Sequence, residues 1–338
     1  MLSFGLEMPF IHTGDNLIQM ILDRLDEEEK SGEIKLQDKD VIGVTESVVA
    51  RVYGQYITID DIAESIEEIF NGAQSITLVN PIYSRNRFSM ILRGIARAVE
   101  KIILIMPSFD EVGNPSGTNP FTGVNILDYY RQICEEENCK CTFHAYRFNK
   151  NEVALCYDNV LYCGVHDYEE WDHSLVDVCN KYNPDFGVLG TNKADGERLK
   201  LFPTRALATS FCYDLKRAIK QKYNVDVIVC VYGDGCFKDP VGGIWEFADP
   251  VTMPGFTDSE LILSSPKEVK IKYAIDQGLS DDNIYQTIWH FKKDMDKDSM
   301  LFQGTTPRIY RDLLASLMDL TSGSGDRCTP VVIIQNYF

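Results

Sequence analysis

The sequence of 338 residues predicts an α/β protein built from mixed sheets with flanking helices. Short apolar runs alternate with segments of helical periodicity from one end to the other, which is typical of this class. Two helical segments begin with a proline at the first helical position, at Ser265-Pro266 and at Thr306-Pro307. No sequence repeat or low-complexity tract interrupts the alternation.

Each element is predicted from its own local pattern. Apolar runs bounded by turn residues predict strands at 40–45, 75–79, 101–106, 141–147, 186–189, 226–232 and 331–335. Helical periodicity with capping residues predicts helices at 16–29, 85–99, 266–277 and 306–320. We expect residues 1–255 to form a core with an inserted region around 80–180. Residues 256–338 are expected to form a helical C-terminal region that returns to the core through its last strand.

The charge balance excludes two classes of partner. Lys and Arg number 33 against 51 Asp and Glu, so the formal net charge is −18. Nucleic acid and anionic membrane surfaces attract basic proteins, and we expect neither to bind this chain. The longest apolar runs, 102–106 and 227–232, are far shorter than the roughly 20 residues that cross a bilayer. The N-terminal residues lack the features of a secretory signal, so a cytoplasmic location is expected.

Several familiar catalytic frames are absent from the sequence. It contains no GxxxxGK[ST], no GxGxxG after a strand, no GxSxG and no HExxH. The ten cysteines include no CxxC pair, and we interpret them as reduced thiols. Cys134, Cys139, Cys141 and His144 come nearest to a metal cluster, but their spacing is not a usual zinc pattern.

The strongest candidate site follows a buried strand, where Gly233 and Gly235 flank Asp234. Ligands of open α/β sheets bind at the carboxyl ends of strands. We predict Asp234 as a metal ligand and catalytic residue, with Asp239 as a second metal ligand. Lys238 could act in catalysis by contacting a phosphate oxygen. The alternative interpretation is an Asp-Gly turn followed by a solvated lysine.

Two further candidates lie at predicted helix starts. Gly14 and Asp15 precede the first helix, where free N–H groups favour an anion, although Asp15 could instead cap that helix. Thr45, Glu46 and Ser47 lie where a strand passes into a helix and are predicted to bind a nucleotide. For Ser47 the alternative role is a helix cap.

Cations beside small-residue turns are informative in so acidic a chain, because an anionic ligand requires local positive charge. Arg51 and Lys193 are such residues. Arg85 and Arg87 begin a predicted helix and would suit a carboxylate or phosphate substrate, or could be ordinary exposed arginines. The long loop 107–123 is expected to be a lid or a dimer arm.

The order of short motifs resembles the coenzyme F-420-0:gamma-glutamyl ligase family over nearly the whole chain. The specificity lies in the succession of motifs, since each is short. They are Gly14-Asp15, Asp40-Val41, Val48-Val49-x-Arg51-x-x-Gly54, Gly187-Val188-x-x-Thr191-Asn192, Leu201-Phe202-Pro203, the strand end at Asp234 and Pro330-Val331-Val332-Ile333.

The resemblance implies an activity, cofactors and an assembly. Members of the family join L-glutamate to a deazaflavin precursor, using GTP and Mn²⁺ or Mg²⁺, and form an intertwined homodimer with an unusual α/β fold. It implies that Asp234 is a metal ligand and that Arg51, Asn192 and Lys238 lie near nucleotide phosphates. Thr191 belongs to the same nucleotide-binding motif as Asn192. The expected partners are therefore an acidic small molecule, an amino acid and a second copy of the chain.

The chain departs from the family pattern at a position where the family has aspartate. Leu189 stands there, so Asp195, Asp110 or Asp239 would have to replace that carboxylate, unless the reaction has changed. A non-catalytic protein that binds nucleotides or anions on the same fold is the alternative. A metal-dependent hydrolase is a third hypothesis. Ala50, Tyr53 and Gln55 also differ from the family motif around Arg51.

Overall fold

Three sheets and helices on their faces make up the part of the chain that a computed structural model describes, which confirms the mixed α/β class. That part comprises residues 1–81, 88–107, 123–145, 153, 156–164, 168–233, 253–262, 276, 278, 280, 309–322 and 328–338. It divides into two compact units. Unit 1 is Met1–Phe10, Asn16–Glu46 and Leu207–Phe338, and unit 2 is Ile11–Asp15 and Ser47–Ala206.

The elements are numbered in chain order. The strands are β1 (Leu2–Leu6), β2 (Val41–Thr45), β3 (Tyr56–Thr58), β4 (Ser75–Val79), β5 (Lys101–Met106), β6 (Lys140–Ala145), β7 (Val160–Tyr162), β8 (Thr191–Asp195), β9 (Arg198–Leu201), β10 (Ile228–Tyr232), β11 (Gly255–Phe256) and β12 (Val331–Gln335). The α-helices are α1 (Leu17–Ser31), α2 (Glu46–Val52), α3 (Ile59–Ile69), α4 (Phe88–Ala98), α5 (Ile126–Glu136), α6 (Arg205–Tyr223) and α7 (Tyr310–Ser322).

Unit 1 is organised around a five-stranded sheet of order β1-β12-β2-β10-β11. Strands β2 and β10 are parallel, with Thr45 opposite Tyr232, whereas the other pairs are antiparallel. Every residue of β10 and β12 is buried, and Leu314 and Met318 of α7 pack in the same apolar cluster as these strands. The parallel pair therefore places the carboxyl ends of β2 and β10 at one edge of the sheet.

Unit 2 contains the other two sheets. One is antiparallel with the order β3-β9-β8, and the other is entirely parallel with the order β6-β5-β4-β7. Helix α4 buries Phe88, Ile91, Leu92 and Ile95, the spacing of one helix face, in a large apolar cluster with the parallel strands. The entirely parallel sheet needs this helical cover because both of its faces are apolar.

Most predicted elements agree with the structure, and one is wrong. The strands predicted at 75–79, 101–106 and 331–335 have those same bounds. The strand predicted at 186–189 is instead the 3₁₀ helix Gly187–Leu189. Gly187 has φ of +51°, in the left-handed region, and an extended strand cannot pass through that conformation.

Other predictions are only partly covered by the described residues. The helix predicted at 266–277 lies almost wholly outside the described residues. The helix predicted at 85–99 is described only from Phe88 onward. The predicted domain boundary at residue 255 stays a prediction. Among the helices that are described, none has the length and apolar composition needed to cross a membrane.

Candidate active site

The edge of the unit 1 sheet carries a buried carboxylate. Glu46 directly follows β2 and is 4% exposed. Thr45, the last residue of β2, donates a hydrogen bond from its Oγ1 to Glu46 Oε2 over 2.8 Å, and its own N–H donates to the Pro330 carbonyl over 2.9 Å. The strand end thus holds the carboxylate in place with a hydroxyl donor.

Tyr232 adds a buried phenol to this edge and was not predicted as a site residue. Burial raises its pKa, the carboxylates of Glu46 and Asp319 raise it further, and Ser322 opposes the rise. The hydroxyl makes no hydrogen bond of normal geometry within the described residues. Two carboxylates therefore lie near one buried hydroxyl. The signal that could have identified Tyr232 is its position directly before Gly233, at the end of β10, which is parallel to β2.

In unit 2 the structure brings Ser47 together with Lys200, a residue that sequence reasoning missed. Ser47 lies inside the first turn of α2, not before it, so the alternative role as a helix cap is wrong. The ammonium group of Lys200 donates to Ser47 Oγ, and Lys200 is only 6% exposed. Asn192 lies opposite Lys200 in the β8–β9 pair. A buried cation thus lies beside a hydroxyl, and an asparagine stands opposite it in the neighbouring strand.

The turn that contains Gly14 and Asp15 packs against the end of α2. The Gly14 N–H donates to the Val52 carbonyl over 2.9 Å, and Arg51 Nη1 lies 3.4 Å from the Ile11 carbonyl oxygen. The Asp15 carboxylate accepts the His12 N–H over 2.6 Å. Asp15 closes this turn, and helix α1 is capped by another residue, Asn16, whose side chain accepts the N–H of Gln19.

The motif around Thr191 has a structural part. Thr191 is fully buried, and its Oγ1 donates to the Val188 carbonyl over 2.8 Å. A Cβ at Gly187 would lie 2.2 Å from the Val176 carbonyl oxygen, so only glycine fits there. Leu189 is 2% exposed and belongs to the apolar cluster of unit 2. For Lys193 the backbone alone is described, and it pairs with Leu199.

The remaining predicted residues lie outside the described part of the chain. They are Arg85, Arg87, Asp234, Gly235, Lys238 and Asp239. Gly233 is described and buried, one residue before Asp234. In the described ranges no three His, Cys, Asp or Glu residues are grouped to hold a metal ion. The structure therefore describes most of the predicted nucleotide-binding residues, but their role and the metal site both stay predictions.

The oxygen donors at the unit 1 edge fit one class of metal. The carboxylates of Glu46 and Asp319 both raise the pKa of Tyr232, and in the sequence Asp234 is the second residue after β10. Carboxylates are the ligands that Mg²⁺ and Mn²⁺ prefer, and the described residues alone do not complete a group of three such ligands.

Comparison with known proteins gives a family assignment. No curated protein matches the chain significantly. A family model described as F420-0:Gamma-glutamyl ligase matches residues 5–336, which is essentially the whole chain. The matched range includes Glu46, the Ser47–Lys200 pair and the Thr191 motif. This chain belongs to the F420-0:gamma-glutamyl ligase family.

Proposed function

We propose that this protein is a metal-dependent ligase that uses a nucleoside triphosphate, GTP in the first instance, to join an acidic small molecule to an amino acid. Family membership supports an amide-forming ligase. By its family, F420-0 is the first acid to test and L-glutamate the first amine. We also propose a cytoplasmic homodimer, which size-exclusion chromatography with light scattering would check for the assembly.

The observation that carries this proposal is the buried ammonium group of Lys200 on the hydroxyl of Ser47. A carboxylate and an amine condense slowly in water, so the carboxylate must first gain a good leaving group. Phosphoryl transfer provides one, and a positioned cation stabilises the charge on the transferring group. In a chain of net charge −18, a buried lysine beside a hydroxyl is a suitable partner for that charge.

The carboxylates at the unit 1 edge would hold the metal. Glu46, oriented by Thr45, and Asp319, which acts with it on the pKa of Tyr232, offer oxygen ligands, and Asp234 is the sequence candidate that joins them. When bound, a divalent ion neutralises phosphate oxygens and orients the triphosphate. Thr45 fixes the position of the Glu46 carboxylate, and the buried Tyr232 offers a hydroxyl donor near it.

The test is a coupled assay on the purified protein with GTP, Mn²⁺, F420-0 and L-glutamate. We expect phosphate release that requires both the acid and the amine, together with a product heavier by one glutamyl residue. Replacing GTP with ATP and Mn²⁺ with Mg²⁺ ranks the cofactors. If nucleotide turnover is absent, or does not depend on the two substrates, the ligase proposal is wrong.

One observation favours a second candidate, a non-catalytic nucleotide- or anion-binding protein. At the position where the family motif has aspartate, Leu189 is packed in an apolar core, so this chain cannot place a carboxylate there. Nucleotide binding in calorimetry, with no turnover of any acid and amine pair, would support this alternative.

A further inference from the structure

Three cysteines of unit 2 come together where helix α5 leads into strand β6. Cys134 lies in the last turn of the helix, Cys139 directly precedes the strand, and Cys141 is the second residue of the strand. All three are free thiols in the large apolar cluster of this unit or packed against it. His144 does not join them, because strand alternation turns it to the opposite face, where its Nδ1 lies 2.8 Å from the Tyr157 hydroxyl oxygen. The group therefore consists of thiols alone.

The way in which helix α5 ends holds Cys134 and Cys139 together. The Cys139 N–H donates to the Cys134 carbonyl over 2.8 Å. The Asn138 N–H donates to the Glu135 carbonyl over 3.0 Å, and Asn138 has φ of +60°. These two bonds around a left-handed residue form a Schellman motif, in which the residues at its two ends pack side chain to side chain. Cys134 is fully buried and Cys139 is 2% exposed, so this pair of thiols is enclosed by the fold.

Cys141 differs from this pair because it is only partly buried. It lies on β6, an outermost strand of the parallel sheet, opposite Ile102 of β5. Its side chain packs against the same apolar cluster as α5, and its thiol shares a hydrogen bond with the thiol of Cys134. One thiol of the group is therefore accessible to solvent, and a buried thiol lies in contact with it.

A cation lies over the same face of β6. The Arg131 guanidinium, one helical turn before Cys134, is 5.1 Å from the ring centroid of Phe143, two residues after Cys141. The hydrogen bond from Cys134 lowers the pKa of Cys141 against the effect of burial, and the charge of Arg131 lowers it further. Hydrogen bonds to the other two thiols raise the pKa of Cys134, and burial adds to this rise. Cys141 is therefore the thiol that ionises first, while Cys134 keeps its proton.

We propose that Cys141 is a site of oxidation by hydroperoxides and that Cys134 resolves the oxidised residue into a disulfide. Oxidants select accessible thiols that have positive charge nearby and a second thiol within reach. The site uses residues other than Ser47 and Lys200, and it does not rest on the proposed ligase function.

The reaction has two steps. In the first, the Cys141 thiolate attacks a peroxide oxygen, the O–O bond breaks, and the departing oxygen takes up a proton and leaves as water or an alcohol. The product is a sulfenic acid at Cys141. In the second, the Cys134 sulfur attacks the Cys141 sulfur, the S–O bond breaks, and water leaves with the thiol proton of Cys134. The two thiols lose two electrons in total, and these electrons reduce the peroxide.

The test treats the reduced full-length protein with hydrogen peroxide and locates the products by differential alkylation and peptide mass spectrometry. In the wild type we expect a disulfide between Cys134 and Cys141 and a mass lower by two hydrogens. Cys134→Ala should stop the reaction at the sulfenic acid, which dimedone traps at Cys141. Cys141→Ser should leave Cys134 reduced.

Controls within the same molecule separate chemical activation from exposure. Cys156 and Cys328 are exposed, whereas Cys141 is partly buried. At pH 7 iodoacetamide should nevertheless modify Cys141 at least about fivefold faster than either, because a lowered pKa increases the thiolate fraction. Arg131→Met should slow this reaction about threefold and shift its pH profile upward. Lys140→Met, on the opposite face of the sheet, should do neither.

Several results would overturn the proposal. It is wrong if peroxide oxidises Cys156 or Cys328 and leaves Cys141 reduced, or if the wild-type disulfide joins Cys134 to Cys139. It is also wrong if the sulfenic acid in Cys134→Ala forms at another residue. If Cys134→Ala fails to fold, the products located in the wild type decide the question alone.

Discussion

Two sheet edges in this molecule carry buried polar groups, and they differ in charge. The edge of the unit 1 sheet holds the carboxylate of Glu46, which Thr45 supports, near the Tyr232 phenol. The edge of the parallel sheet in unit 2 holds the neutral amide of Asn80, for which the described residues offer no hydrogen-bond partner. The difference teaches that the first edge can attract an ion through charge, whereas the second offers hydrogen-bonding atoms without charge.

The largest expected effect concerns Gly187 in unit 2. It tests whether packing, and not ligand chemistry, requires a glycine at this position. Gly187→Ala should lower the free energy of unfolding by at least about 3 kcal/mol, since the new Cβ meets a carbonyl and the backbone is left-handed. Gly196→Ala is the matched control, because it has a similar φ of +48° and open space around it. It should cost about 1 kcal/mol.

Urea denaturation of both glycine variants measures this difference. Equal destabilisation would mean that the contact with the Val176 carbonyl does not determine the residue at Gly187. The glycine of the family motif would then need a chemical explanation instead of a structural one.

The next effect tests whether turnover requires the buried positive charge of Lys200. Lys200→Met should reduce substrate-dependent phosphate release by about 100-fold, as removal of a positioned stabilising group typically does. Lys140→Met is the control, because Lys140 is an exposed lysine at the start of a strand in the same unit. Steady-state kinetics of both variants provides the measurement. Comparable losses in both variants would remove Lys200 from the site.

A smaller effect is expected at the unit 1 edge. Tyr232→Phe should slow turnover by about tenfold, which corresponds to the loss of one hydrogen bond to a charged group. The free energy of unfolding should stay unchanged or rise, because the buried hydroxyl has no hydrogen-bond partner of normal geometry among the described residues. Turnover equal to wild type would show that the phenol only fills space. Thermal melting provides the stability value.

The smallest effect is a pH dependence of opposite sign in the two units. Burial raises the pKa of Asp40 in unit 1. Burial also acts to raise the pKa of Asp61 in unit 2, but hydrogen bonds from Tyr182 and Thr58 outweigh it and lower that pKa. Near pH 7, Asp40→Asn should therefore stabilise the protein and Asp61→Asn should destabilise it, each by about 1 kcal/mol or less.

Both differences should shrink as the pH falls. The free-energy cost of burying the ionised Asp40 carboxylate decreases as the pH falls through its raised pKa. This cost is gone below the ordinary pKa of 3.8. The support from Asp61 is complete above that value and is lost as the pH falls through its lowered pKa. Denaturation curves between pH 3 and pH 7 measure both trends, and a common sign would contradict them.

Sequence patterns predicted the buried strands well because their signal is local. The apolar runs of β4, β5 and β12 end at polar or turn residues, and those ends agree with the structure. The strand predicted at 186–189 was wrong because Gly187 has a left-handed backbone conformation, which a pattern of apolar residues does not reveal. Lys200 alternates with leucines in a short strand and resembles an exposed strand residue.

Candidate sites were predictable only where charge or glycine marked them. Glu46 and Ser47 stood out at a strand–helix junction, and Asp234 between two glycines. Asn80 is a single neutral residue after an apolar strand, and its amide is buried without a partner among the described residues. Burial without a partner is a property of the folded chain, so no pattern in the sequence could reveal it.

The pairing of β1 with β12 has a consequence for biosynthesis. Leu2–Leu6 and Val331–Gln335 are adjacent strands, and β12 also separates β1 from β2. The unit 1 sheet therefore cannot form completely until β12 has been synthesised, whereas residues 47–206 of unit 2 form one continuous stretch that can fold earlier. Strand β1 therefore has no neighbour in this sheet until β12 has been made.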